Sequence, residues 1–294
     1  MAQGSGVLQQ TLARLEALYR QEGLKPVHLV KIGVKPQWNV VIGTDGNCGM
    51  AINFTGVHQV HGDQEIELSE LQSLVGKNLF DVASRLLNLG TLQGRSIGAA
   101  AMSALSQPLL TSQALAKRGF VMREGMTDIA TLVRPDDIVS LVGYGGIVTR
   151  LVGKCREIHV TDMRPLKTLR TTIIGERIEY GPREVSVHGA EENKAVLGKS
   201  NVVFVTASTL VNDTFGEVMS YVDKARLVGL YGPTGSMIPD VLFERGADFV
   251  MTFSATDPKK FEHDMMNDLD MERSAKDSQR QQFMMRSASV LQPS

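Results

Sequence analysis

Apolar and polar positions follow two different rhythms along this chain, and the change falls between residues 110 and 137. Residues 7–20, VLQQTLARLEALYR, place Val7, Leu8, Leu12, Leu15 and Leu18 near helical spacing with charges between them, which predicts an amphipathic opening helix. Three short runs follow: VHLVKIGV (27–34), NVVIGT (39–44) and CGMAINF (48–54), the last two separated by Asp45, Gly46 and Asn47. Asp-Gly accepts positive φ in a tight turn, so the runs read as an antiparallel meander. Ser69 and Gln72 have the spacing of a capping box, NLFDVASRLLN (78–88) carries an apolar face, and SIGAAAMSALSQPLL (96–110) predicts a small-residue helix suited to close packing. A meander followed by helices predicts an α+β domain over residues 1–110.

From residue 137 onward, short apolar runs alternate with helical segments: DIVSLVG (137–143), EIHVTD (157–162), NVVFVTA (201–207), RLVGLYG (226–232) and DFVMTF (248–253). Strands this uniformly apolar are covered on both faces, as parallel strands with crossover helices are. The prediction for 111–263 is an α/β domain with a Rossmann-like, doubly wound parallel sheet. Residues 264–294, rich in Met, Gln, Ser and charge, read as a C-terminal tail with room for one more helix and no chemical motif.

Composition narrows the function classes. The chain's 294 residues suffice for one large or two smaller cores, and its 43% apolar and 21% charged residues are ordinary for a globular protein. With 31 basic against 32 acidic side chains and no basic stripe, phosphate-backbone binding has no electrostatic basis. No stretch approaches the roughly 20 apolar residues that span a bilayer, and MAQGSGVLQQ lacks the features of a secretory signal. Cys48 and Cys155 belong to no C-x-x-C pair and read as packing residues in a reducing compartment. The expectation is a cytoplasmic protein that takes a small-molecule ligand and binds neither nucleic acid nor membrane. A homodimer is the default assembly.

In open α/β sheets ligands bind beyond the carboxyl ends of the strands, so the residues there are the candidates. The first such strand runs into Gly143, Tyr144, Gly145 and Gly146, and the second ends at Asp162, about 20 residues on, the spacing of a glycine turn and a ribose-binding carboxylate. Val148 stands where the third glycine of a dinucleotide motif belongs. The pattern therefore fits a dinucleotide site, an S-adenosylmethionine-type site, or a tight turn beside a solvated Asp. A third strand end gives TASTLVNDTFGEV (206–218), in which Thr214 and Glu217 have capping-box spacing. Thr206, Ser208, Thr209 and Asn212 then either satisfy loop backbone or line a polar pocket. At the fourth, Gly232, Pro233 and Gly235 bend the chain, and Thr234 and Ser236 put hydroxyls beside a helix start expected near Ile238 and Pro239. That turn is either a nest for a carboxylate, phosphate or carbonyl oxygen, or a simple helix start.

Other candidates are weaker. His58, His61 and Asp63 are metal-ligand types, but the glycines around them favour a surface hairpin over the helix that H-x-x-H needs, so no metal ligands are predicted. His28, His159 and His188 read as isolated structural histidines. Asp257 before Pro258 reads as a helix N-cap. There is no Ser-His-Asp set, Walker A loop or H-E-x-x-H motif, and the sequence names no cofactor.

The stretches GKNLFDVASRLLN, SIGAAAMSALSQPLL, VRPDDIVSLVGYGGIVTRL, NVVFVTASTLVNDTF, YGPTGSMIPDVLFERGADFV and TDPKKFE, in this order over roughly residues 27–262, resemble a family labelled "putative heavy-metal chelation". The resemblance implies an amino-terminal domain like the capping domain of enolase, a Rossmann-like carboxyl-terminal domain and a site between them. It favours Gly143, Tyr144, Asp162, 206–212 and 232–236 as cleft residues, and draws in the start of helix 96–110 with Arg95 and Asn47. Gly145 and Gly146 stand where the family commonly has a bulkier aromatic-proline pair, and Ser103 where it commonly has Asn. The expected function is that of an enzyme-like protein binding a small polar or anionic metabolite, with condensation or hydrolysis toward a metal-chelating or pterin-like compound. Asp162 and Asn212 are the candidate catalytic residues, as base and as orienting group. Two alternatives stay open: a metal or metal-chelate binding protein without turnover, and an S-adenosylmethionine or NAD enzyme using Gly143–Gly146 and Asp162.

Overall fold

The amphipathic opening segment forms helix α1 (Val7–Gln21), which buries Leu8, Leu12, Leu15 and Leu18. The computed structural model describes residues 6–54, 65–123, 125, 127–165, 169, 171–174, 177–180, 184–267 and 278–291. His58, His61 and Asp63 lie outside them. Strands β1 (Leu29–Val34), β2 (Trp38–Gly43) and β3 (Cys48–Ile52) form the expected antiparallel meander in that spatial order. Its second turn has Gly46 at φ 81°, with the Gly43 amide donating to the Asn47 carbonyl at 3.0 Å.

Helix α2 (Leu68–Gln72) starts before Ser69, so Ser69 and Gln72 both lie inside it and form no capping box. Helix α3 (Leu79–Asn88) is capped by the Asn78 side chain, which accepts from the Phe80 amide. Helix α4 (Leu92–Ser106) begins four residues before the predicted start, because Thr91 supplies the cap by accepting from the Gly94 amide. Every residue of α4 except Arg95 is buried. Its alanines let it lie directly on β3: a Cβ added to Gly49 would overlap the backbone of Ala100 and Ala104.

The remainder comprises α5 (Ser112–Ala116), β4 (Val121–Arg123), β5 (Ile138–Val142), α6 (Ile147–Leu151), β6 (Glu157–Asp162) and the hairpin of β7 (Thr171–Ile174) and β8 (Arg177–Tyr180). It continues with β9 (Val185–Gly189), α7 (Asn193–Leu197), β10 (Val202–Thr206), α8 (Ser208–Val211), α9 (Phe215–Met219), β11 (Leu227–Tyr231), α10 (Asp240–Glu244), β12 (Phe249–Ala255), α11 (Pro258–Met266) and β13 (Gln279–Met285). The large sheet has the order β4-β13-β12-β11-β10-β5-β6-β9, and all neighbours from β12 to β9 are parallel. Its six parallel strands, counted along the chain, stand in the spatial order 3-2-1-4-5-6, and the winding reverses between β5 and β10. The fold is Rossmann-like α/β preceded by a smaller α+β domain. Among the described residues no helix is long and apolar enough to cross a membrane.

Within residues 264–294, β13 pairs antiparallel with β12 over its whole length and buries Phe283, Met284 and Met285, and a 3-10 turn follows at Ala288–Leu291. The apolar triplet meets a half-covered sheet edge, a partner invisible to local sequence patterning. Sheet residues Val203, Val205, Val228, Leu230 and Val250 share a core with α1, α3 and α4, while Val139, Leu141, Phe204, Phe249 and Phe283 form a second core on the other face.

At the amino edge of the parallel strands, Asp137 is 1% exposed and is gripped by both Arg226 Nε, at 3.1 Å, and Arg226 Nη2. Burial opposes its charge, but the hydrogen bonds from Arg226 and the Arg134 amide hold its pKa below the ordinary carboxylate value. Arg226→Ala is expected to cost about 3 kcal/mol in urea unfolding at neutral pH, since it strands a buried charge. The pair stabilises above the ordinary Asp pKa of about 3.9, and its contribution disappears as pH falls through the lower folded value, so the gap between wild type and variant narrows in acid. Gly49→Ala should cost about 1–3 kcal/mol in the same measurement by pushing α4 off β3.

Candidate ligand site at the strand ends

The winding reverses between β5 and β10, the place beyond whose strand ends open α/β sheets take ligands, and the sequence motifs fall there. Gly143 leaves β5 at φ 93°, its amide donating to the Thr161 carbonyl at 2.8 Å. A Cβ at this position would stand 2.9 Å from the Thr206 methyl, so only glycine lets the turn lie flat against the end of β10. Thr206 Oγ1 and Ser208 Oγ, both half-buried, are 3.0 Å apart. Tyr231 at the end of β11 reaches back and donates its hydroxyl to the Gly143 carbonyl at 2.9 Å. Burial, reinforced by the Asp162 charge, pushes this phenol well above its usual range, so it remains a donor.

Asp162 closes the turn from the other side. Its carboxylate accepts from the Tyr144 amide at 2.7 Å, the Arg164 amide at 2.8 Å, and the Arg164 guanidinium through Nε at 3.0 Å and Nη2 at 2.8 Å. Arg164 Nη2 also donates to the Tyr144 carbonyl at 2.7 Å. Burial raises the Asp162 pKa, but the bonds from Arg164 and the two amides outweigh it and hold the carboxyl below the ordinary range. A carboxylate so occupied is a weak base with little left for a ribose; here it clamps the 143–146 turn. Among the described residues no non-neighbouring atom comes within 4 Å of a Cβ built on Gly145 or Gly146.

The remaining sequence candidates are turned toward the protein. Thr209 is buried and donates to the Thr206 carbonyl at 2.7 Å. Asn212 Oδ1 accepts from the Thr214 amide at 3.2 Å and hydroxyl at 2.7 Å, and its Nδ2 lies 3.0 Å from Met163 Sδ. Thr214 is at the N-cap position of α9 but makes no side-chain cap bond, and Glu217 accepts from Tyr221 instead of closing a capping box. In the 232–236 turn, Gly232 at φ 115° and Pro233 are half-buried, whereas Thr234 and Ser236 are 2% exposed. The Ile52 amide donates to Thr234 Oγ1 at 3.0 Å, Gln107 Nε2 lies 3.3 Å from Ser236 Oγ, and the Ile238 amide donates to Ser106 Oγ at 3.1 Å. These groups dock the turn on β3 and the end of α4, because the amino-terminal domain lies where a helix-start nest would have opened.

Arg95 likewise bridges, donating to the Val211 and Gly90 carbonyls at 2.6 and 2.7 Å, and Asn47 bonds Asp45 within its hairpin turn. The structure thus brings Gly143, Tyr144, Gly145, Asp162, Thr206 and Ser208 together. Arg164 and Tyr231 complete the group and escaped sequence reasoning. Arg164 could have been sought as the cation two residues past a strand-end acid; Tyr231 read only as a strand residue. Burial pushes the Cys48 thiol up to about 12 and Cys155 up to about 11, as packing residues require. Asp257 caps α11, accepting from the Lys260 amide at 3.0 Å. His159 and His188 are not isolated: they meet across β6 and β9.

Sheet order and strand direction define an α/β protein of Rossmann type, with a smaller meander-and-helix domain sharing a core with one face of its sheet. The chain belongs to the DUF364 family, described as "putative heavy-metal chelation": residues 126–284 match that family, and 19–106 match DUF4213, which has the same description. An uncharacterised protein of Methanocaldococcus jannaschii is 23% identical over 232 residues, covering 76% of this chain and 77% of that protein. The crystal structure of a DUF364 protein of unknown function from Pyrococcus horikoshii aligns with a TM-score of 0.69 at 18% identity, covering 94% of this chain and 98% of that one. One from Desulfitobacterium hafniense aligns at 0.62 and 17%, with the same coverage. At these identities the structural likeness establishes the shared fold.

Arg164→Ala should raise the Asp162 pKa toward or above its ordinary value of about 3.9. It should also speed exchange of the Tyr144 amide roughly tenfold, about 1.4 kcal/mol of lost protection. Carboxyl NMR titration and hydrogen exchange check both.

Proposed function

We propose that the crevice at the ends of β5, β10 and β11 binds a small polar or anionic metabolite and that the chain is an enzyme-like protein acting on it. The observation that supports this most is the pair of half-buried hydroxyls, Thr206 and Ser208, set against a positive-φ glycine turn where the sheet reverses its winding. Hydroxyls beside a flat glycine backbone offer both donors and acceptors to an oxygen-bearing ligand, and the Tyr231 and Arg164 bonds hold that backbone in place. The family description is in keeping with a ligand able to chelate a metal, and condensation or hydrolysis is the reaction class proposed for it. Ser208 and Thr206 contact the ligand in this reading, Gly143 to Gly145 form its floor, and Asp162 positions that floor.

The nucleotide-cofactor alternative draws on the strand order and on Gly143 with Asp162. It is disfavoured because the Asp162 oxygens are taken by Arg164 and Tyr144, and because α6, with five residues, offers little dipole to a pyrophosphate.

Thermal-shift screening of organic acids, pterins and nucleotides tests the reading: a ligand at a hundred times its dissociation constant adds about 2.7 kcal/mol. Ser208→Ala is expected to leave the free protein's stability nearly unchanged and to abolish that shift. Thr209→Ala, which removes a buried hydrogen bond, should destabilise by about 1 kcal/mol whether or not ligand is present. A ligand shift that survives in Ser208→Ala would place the site elsewhere.

A further inference from the structure

His159 and His188 sit on adjacent parallel strands, β6 and β9. Thr161, two residues along from His159, is in register with His188, so all three side chains share one face of the sheet. His159 Nδ1 and His188 Nε2 are 3.3 Å apart, with the rings tilted by 39°. Each outer nitrogen has a carboxylate: His159 Nε2 is 3.2 Å from Glu157 Oε2, and His188 Nδ1 is 3.2 Å from Glu192 Oε2. Three contacts within hydrogen-bond distance thus string the four ring nitrogens into one row.

This is the arrangement that prepares histidines for a metal. A carboxylate on the far nitrogen fixes the tautomer and directs the other lone pair inward. Two nitrogens 3.3 Å apart subtend close to a tetrahedral angle at an ion about 2.0–2.1 Å from each. A second observation stands beside the first. The Thr161 hydroxyl, on the same face, is fully buried and has no hydrogen-bond partner. Both histidine side chains are 24% exposed, so a dissolved ion reaches them.

The geometry points to a binding site for a divalent transition-metal ion held by His159 Nδ1 and His188 Nε2, with Glu157 and Glu192 as the outer partners. Imidazole nitrogens select Zn²⁺, Ni²⁺ or Cu²⁺ over Mg²⁺ or Ca²⁺. Among the described residues no group of three or more His, Cys, Asp or Glu is placed to hold a metal ion. The described residues therefore supply two ligands, and in this proposal the open positions go to water or to a small molecule carrying oxygen or nitrogen donors. Such a site suits a metal in exchange with another chelator better than a permanent structural ion.

Titration of the metal-free full chain with Zn²⁺, followed by calorimetry and by long-range ¹H–¹⁵N NMR of the imidazoles, tests this. One equivalent should bind and shift the ring nitrogens of both His159 and His188. His159→Gln and His188→Gln should each weaken binding at least tenfold, and Glu157→Gln and Glu192→Gln by a smaller factor. Co²⁺ should give d–d absorption that the double histidine variant loses. The proposal falls if neither ring shifts at millimolar Zn²⁺, an arm that uses wild-type protein and is immune to misfolding of variants. It also falls if the double variant binds Zn²⁺ unweakened, which would move the ion to other residues such as His58 and His61.

Discussion

Helix α4 is enclosed on all sides, with the β-meander against one flank and the loops of the α/β sheet against another, and the remaining architecture follows from that enclosure. A helix can be buried all round only if its side chains are small enough for its neighbours' backbones to come close and its polar groups are answered inside. Alanines and Gly49 meet the first condition. Serines meet the second: Ser96 accepts from Asn39 at 2.8 Å and donates to the Ile52 carbonyl at 2.5 Å, and Ser106 donates to the Met102 carbonyl while accepting from the Ile238 amide. The two domains thereby share one hydrophobic cluster, which couples their relative placement to α4.

That placement decides what the strand ends can offer. Docking β3 and α4 onto the 232–236 turn uses the hydroxyls of Thr234 and Ser236 as interdomain bonds, so this stretch serves as a joint. The polar groups not used in the joint are at the neighbouring ends of β5 and β10, where the Gly143 backbone lies close against Thr206 and the half-buried Ser208 hydroxyl is 3.0 Å from that of Thr206. The carboxylate best placed for catalysis by chain position, Asp162, is neutralised by its own near neighbour Arg164 and becomes part of the scaffold.

Strand β6 connects the crevice to the histidine pair. Its last residue, Asp162, is in register with Gly189 and clamps the glycine turn; one step back, Thr161 is in register with His188. The glycine turn clamped by Asp162 and the histidine pair therefore lie three residues apart on one strand, on opposite faces of the sheet.

The sequence by itself determined the local elements: the Leu stripe of α1, the Asp-Gly turn of the meander, the uniformly apolar parallel strands, and the glycine-ended strand β5. Each depends on side-chain periodicity or backbone freedom within a few residues, and such signals survive without tertiary context. Tertiary structure decided the rest. The pairing of β13 with β12, the burial of Thr234 and Ser236, the capture of Tyr231 by the Gly143 carbonyl and the meeting of His159 with His188 all join residues distant in sequence. Even Asp162 and Arg164, two residues apart, needed the fold, because only the turn they enclose with Tyr144 brings guanidinium, carboxylate and amide within hydrogen-bond distance. A hydroxyl or an imidazole carries the same letter whether it faces solvent, backbone or another ring, and its role is fixed by what the folded chain sets within 3 Å or so of it.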